Sequence, residues 1–267
     1  FNDKNTVPVV FIHGVGLDQR MWEPQIEAFK EYSIITYDLL GHGKTILNKE
    51  DVTLDDFSNQ LKSILEYLKV DKINLVGFSL GSLIALNFAS KFQDKLNSLV
   101  VMGTTYKRTS EQRSLVIERF EQAKLNKPIS KQALKRWFTD QYLNDHPETY
   151  NQFIKILTKN KKDHLNFLKA YKLFAYHEDN TDIIKDIKTR TLVMTGSNDS
   201  GSTVGPDIAI EAISDFLVLL KLIASLIAFA KKYPISLFNE PRSDRELSFD
   251  SIKVLIFCLR DFDIFFV

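Results

Sequence analysis

The five residues Gly77-Phe78-Ser79-Leu80-Gly81 constrain this chain more than any other stretch, because they join an apolar run at residues 72–76 to a helical pattern that begins at Ser82. A strand that passes directly into a helix must bend sharply. Glycine on either side of the serine removes the side chains that would clash in such a bend, and the strained turn lifts the Ser79 hydroxyl above the end of the sheet. Gly-x-Ser-x-Gly on its own is a weak signal. Placed between a strand and a helix, it reads as the site of a nucleophile rather than as a structural turn.

The rest of the chain supplies a frame for that turn. Short β-branched runs at residues 7–12, 33–37, 96–102 and 190–195 predict further strands, while a helix is predicted from about Trp22 and another over 82–92. Thr53, followed by Asp55 and Asp56, marks the start of a helix on which Leu54, Phe57, Leu61, Ile64, Leu65 and Leu68 keep helical spacing. Strands alternating with helices predict an α/β fold with a mostly parallel, doubly wound sheet covered on both faces. Between 106 and 186 the strand signal disappears, and Lys, Gln, Glu, Leu and Phe recur at helical spacing with Pro128 and Pro147 as punctuation. That segment is read as a helical cap inserted into a core made of residues 1–105 and 187–267. Residues 216–220 are a candidate for a last strand.

Composition removes several function classes. A net charge of +1 offers no footprint for a polyanion, so no nucleic-acid partner is expected, and the lysines at 159, 161 and 162 are read as a solvated helix face. The single cysteine, Cys258, excludes an internal disulfide and a multi-cysteine metal site, and fits a reducing, cytoplasmic setting. No basic and apolar leader is legible after Phe1. The apolar stretch 216–230 contains Lys221 and is shorter than the ~20 residues a spanning helix needs, so no membrane role is expected. Gly43-Lys44-Thr45 has the ending of a phosphate-binding loop, but Asp38 stands where that motif requires glycine. Oligomeric state is not legible.

A serine that attacks a carbonyl needs donors for the oxyanion, and the loop His13-Gly14-Val15-Gly16 after the first strand can provide one. The backbone N–H groups of Val15 and Leu80 are the candidates. His13 and His42 are read as residues that fix loops, not as bases.

Residues 9–45, the Gly-Phe-Ser-Leu-Gly turn and residues 191–203 together resemble the α/β-hydrolase superfamily. Within it, Arg136-Trp137-Phe138-Thr139 followed by Pro147 is similar to the 3-oxoadipate enol-lactonase and carboxylesterase group, although Trp137 and Phe138 are read first as core of the cap. The resemblance implies hydrolysis of a small ester or lactone by Ser79, with Asp199 in Gly196-Ser197-Asn198-Asp199 as the acid that orients a histidine base. Such chemistry needs no metal or organic cofactor, and its partner is a small-molecule substrate.

The pattern then breaks. On this fold the residues run in the order serine, acid, histidine, yet all five histidines, His13, His42, His146, His164 and His177, precede Asp199. The resemblance also stops after about residue 203. Three readings fit this: a changed reading frame near that point, a homologue that binds a small molecule without turning it over, or a detour in which His177 reaches Ser79 from the cap. Each of the first two predicts an impaired enzyme.

Overall fold

The computed structural model describes residues 1–104, 108–125, 130–138, 140–178, 184–196, 257–259 and 262–266. Five strands, β1 (Val9–Ile12), β2 (Ile34–Thr36), β3 (Ile73–Phe78), β4 (Leu96–Met102) and β5 (Thr191–Gly196), pair in parallel in the order β2-β1-β3-β4-β5. Two more, β6 (Phe257–Leu259) and β7 (Phe262–Phe266), continue the sheet beyond β5 in antiparallel sense, with β7 next to β5. The mostly parallel sheet expected from the alternation is present. Residues 216–220 lie outside the described residues.

Alternation along each strand divides the core between the two faces. Val10, Ile12, Ile35, Ile73, Leu75, Leu99, Val101 and Val193 join one cluster, while Val9, Phe11, Ile34, Val76, Val100, Leu192 and Met194 join the other. The first face carries α2 (Leu54–Leu68) and α3 (Leu80–Lys91); the second carries Trp22, Phe29 and the neighbourhood of α1 (Glu23–Ala28). Every residue of α3 from Leu80 to Ala89 is buried, as expected of a helix apolar around its whole circumference. It lies between the sheet and α2, and the Asn87 amide donates to both Asp55 Oδ1 and Ser58 Oγ at 2.9 Å to tie the two helices together.

Two boundaries differ from the sequence reading for the same reason. β3 runs on through Gly77 and Phe78 because these residues still pair with Ile12 and Met102, and α3 starts at Leu80, so the whole turn is compressed into Ser79.

Among the described residues between β4 and β5 are the helices α4 (Ser110–Lys124), α5 (Ser130–Trp137), α6 (Asp140–Asp145), α7 (Pro147–Leu157) and α8 (Lys161–Tyr176). Val116, Phe120 and Ala123 of α4 pack on Phe167, Tyr171 and Ala175 of α8. Trp137, Phe138, Tyr142 and Phe153 form an aromatic set within this insertion, with Phe138 stacked on Tyr142. Ala170 of α8 reaches the sheet-side core, so the insertion is packed on the sheet domain rather than tethered beside it. Arg108 and Arg113 donate to the Phe174 and His177 carbonyls at 3.0 and 3.2 Å, which places positive charge at the carboxyl end of α8.

α2 begins with a reciprocal cap: the Thr53 hydroxyl accepts from the Asp56 N–H, and the Asp56 carboxylate accepts from the Thr53 N–H at 2.8 Å. Thr53→Ala is expected to lower the unfolding free energy by about 1 kcal/mol, read as a shifted urea midpoint with unchanged slope.

Candidate active site

Parallel pairing brings the carboxyl ends of β1, β3, β4 and β5 to one edge of the sheet, where Ile12 pairs with Gly77, Phe78 with Met102, and Met102 with Met194. Ser79 follows β3 at this edge with φ 55° and ψ −115°, a left-handed conformation that costs a non-glycine residue about 1–3 kcal/mol. The surroundings enforce it. The Ser79 N–H donates to the Met102 carbonyl at 2.9 Å, and the Ser79 carbonyl accepts from Ser82 N–H and Leu83 N–H as α3 begins. Ser82, fully buried, places its hydroxyl 2.8 Å from the Gly77 and Met102 carbonyls and accepts from the Met102 N–H. One side chain thus holds both arms of the turn to β4.

The flanking glycines are required by close backbone approach. A Cβ on Gly77 would lie 2.3 Å from the Gly81 carbonyl oxygen, and one on Gly81 would lie 2.4 Å from the Ile12 carbonyl oxygen. Leu80, as the first residue of α3, has an N–H with no intrahelical acceptor.

Gly14 stands beside the serine, since a Cβ there would be 3.2 Å from Ser79 Cβ. Its carbonyl accepts from Leu17 N–H at 3.2 Å and from His13 Nδ1 at 2.9 Å. The carbonyl of Gly14 and the N–H of Val15 belong to one planar trans peptide, so fixing the first aims the second the opposite way. Val15 N–H is therefore held in direction by a histidine whose other nitrogen, Nε2, accepts from Leu39 N–H at 3.0 Å. His42 serves the next peptide in the same manner, accepting from Gly16 N–H at Nε2 (3.0 Å) and donating from Nδ1 to the Leu40 carbonyl (3.1 Å). Each ring is thereby set as a single neutral tautomer. Both are loop-fixing residues, as the sequence reading has them.

Asp38 closes the adjoining turn. Its carboxylate accepts from Gln19 N–H at 3.0 Å and Lys44 N–H at 2.8 Å, and its carbonyl accepts from Gln60 Nε2, so it organises a loop where a phosphate-binding glycine would have stood.

Lysine 159 corrects the sequence reading. It does not lie on a solvated face with Lys161 and Lys162: its ammonium donates to the Gly16 carbonyl at 3.0 Å and the Ile156 carbonyl at 3.1 Å, 5.6 Å from the centre of the Phe167 ring. Burial lowers its pKa, against the pull of the Asp18 and Asp163 carboxylates. Lys161 and Lys162 are exposed. Helical spacing places the last two correctly, but the turn between α7 and α8 that carries Lys159 folds onto a loop more than a hundred residues away.

No side chain among the described residues hydrogen-bonds the Ser79 hydroxyl. His146 faces Glu148 and Tyr142, His164 Nε2 bonds the Ala123 carbonyl, and His177 caps α8. Asp199 follows β5 in sequence and lies outside the described residues. A groove of about 500 Å³ beside β2 and α2, lined by Tyr37, Gln60, Ile64 and Tyr67 among others, contains neither Ser79 nor the Gly14–Gly16 loop. Among the described residues, no group of three or more His, Cys, Asp or Glu is placed to hold a metal ion, and no helix is long and apolar enough to cross a membrane.

Burial sets the charge state of the two loop histidines. Desolvation lowers His13 to about 4 and His42 well below its ordinary value. The unfolded chain takes up a proton on His13 near pH 6.5, whereas the folded chain does so only near pH 4. Stability is therefore complete above about pH 6.5 and falls as the pH drops through that window, by up to about 3 kcal/mol from His13 alone. Urea midpoints at pH 7 and pH 5 should differ in that direction, and the difference should shrink in His13→Asn.

Comparison with known proteins agrees with this geometry. Residues 7–205 match the family model for the alpha/beta hydrolase fold. The chain is similar to (E)-2-((N-methylformamido)methylene)succinate hydrolase of Acinetobacter baylyi, 33% identical over 198 residues that cover 73% of this chain and 74% of that one. It is also similar to 3-oxoadipate enol-lactonase 2 of the same organism, 24% identical with 76% of each chain covered. Among solved structures, a hydrolase from Pseudomonas aeruginosa PA01 superposes with a TM-score of 0.67 at 20% identity, covering 76% of this chain and 77% of its own. The matched region ends where the resemblance read from the sequence ends, and the chain belongs to the α/β-hydrolase fold family.

Proposed function

We propose that this chain carries the acyl-transfer site of a serine hydrolase for a small ester or lactone, and that its turnover is impaired because no histidine serves Ser79. The carrying observation is the strained Ser79 turn, held by Ser82 and set beside the Gly14 peptide. In such a site the Ser79 hydroxyl attacks the substrate carbonyl, the Val15 and Leu80 N–H groups stabilise the oxyanion, and water releases the acyl group. The insertion α4–α8 acts as the cap over that edge of the sheet. Asp199, if it is the acid, would orient a base that the sequence after it does not contain. The substrate class follows from the relatives, which are named as a hydrolase of a substituted succinate and as an enol-lactonase.

The histidines support the impairment. Two are locked as neutral loop pins, and the rings of His146 and His164 engage residues of the insertion. Without a base the serine keeps an ordinary hydroxyl, and loss of a single triad member can lower kcat by ~10⁴ to 10⁶. The second reading, a small-molecule binder without turnover, draws on the same absence.

Hydrolysis of p-nitrophenyl acetate by this chain should equal that of Ser79→Ala, and a fluorophosphonate probe should leave Ser79 unlabelled. Ser79-dependent turnover with a labelled serine would contradict the missing-base argument and direct attention to His177.

A further inference from the structure

Gly16 is the one residue of the oxyanion loop held at both its backbone groups by side chains from different parts of the fold. Its N–H donates to His42 of the sheet domain, and its carbonyl accepts from Lys159 of the insertion. Its φ of +79° is available to glycine without strain, and a Cβ there would be 3.4 Å from the Phe167 ring and 3.7 Å from Leu157, so the loop is pressed against α7 and α8. Lys159 also bonds the Ile156 carbonyl in the last turn of α7, where a cation interacts favourably with the helix end. The same ammonium therefore bridges the carboxyl end of one inserted helix and the loop that carries Val15.

We propose that Lys159 is a positioning residue, a latch through which the insertion fixes the oxyanion loop against the sheet domain. The ammonium reaches a carbonyl 143 residues away in sequence and lies 5.6 Å from the centre of the buried Phe167 ring. Its catalytic meaning rests on the serine-hydrolase reading above; its mechanical meaning does not. The sequence separation between Lys159 and Gly16 makes this a tertiary contact, so a movement of the α7–α8 turn is transmitted to the Gly16 peptide and from there to Val15.

The test is amide hydrogen exchange in the full chain, comparing Lys159→Met, which keeps the stem over Phe167 but removes the donors, with Lys159→Arg, which restores a cation. In Lys159→Met the Gly16 amide should exchange ~10-fold faster or more, while the β3 amides of Leu75 and Val76 stay protected; Lys159→Arg should return Gly16 most of the way. Should Lys159→Met fail to fold, Lys159→Gln, too short to span both carbonyls, is read in the same way. An unchanged Gly16 amide, or equal loosening in the methionine and arginine variants, overturns the latch. Imidazole-rescued acetylation of Ser79 by p-nitrophenyl acetate, measured in parallel, separates the two ideas. If Gly16 responds as described and no imidazole-dependent acetylation reaches Ser79 in any variant, the latch stands and the hydrolase reading falls; where Ser79 is acetylated, Lys159→Met should lower that rate ~10-fold.

Discussion

The site depends on a contact between two stretches of backbone. α3 begins directly against the end of β1, with Gly81 so close to the Ile12 and His13 carbonyls that a single methyl on it would lie 2.4 and 2.7 Å from them. That approach leaves no room for Ser79 to relax, so the serine is held at positive φ, and it sets the first amide of α3 near the loop that leaves β1. The cost of the strained residue is met by the hydrogen bonds of Ser79 N–H and Ser82 Oγ to β4 and by the burial of ten consecutive α3 residues. Fold and site are thus the same set of interactions at this point.

Around that contact the loop peptides are fixed one by one. His13 sets the Gly14 carbonyl, His42 the Gly16 amide and Lys159 the Gly16 carbonyl. Two neutral imidazoles and one half-buried ammonium do this because each offers a directional donor or acceptor to a backbone group. Their roles are positional. A histidine that packs at the loop after β1 is not thereby the base, and here both nitrogens of each ring are already committed to backbone groups.

Much of this was legible in the sequence, and the reasons are local. The strand, the Gly-Phe-Ser-Leu-Gly turn and the α3 helix are consecutive, so composition and spacing report them directly. The Thr53 cap of α2 and the alternation of the strands are of the same kind. Lys159 was misassigned because its partner is Gly16, and no periodicity in residues 159–162 carries information about a loop near the amino terminus. The ends of β3 and α3 shifted by two residues because pairing with Ile12 and Met102, which are distant in sequence, decides where the strand stops. The absence of a histidine after Asp199 was plain from the sequence, and the structure adds that the rings of His13, His42, His146 and His164 are engaged elsewhere.

The central claim is the proposal that the Ser79 turn and the Gly14–Gly16 loop can support acyl transfer and that turnover lacks a histidine base. Chemical rescue tests it directly. The chain and its Ser79→Ala variant would be treated with p-nitrophenyl acetate across a series of imidazole concentrations, with the acetylated residue located by peptide mass spectrometry. Imidazole-dependent acetylation at Ser79, absent from the variant, is the predicted result. Acetylation that never reaches Ser79 at any imidazole concentration, or reaches both proteins equally at other residues, would contradict the account.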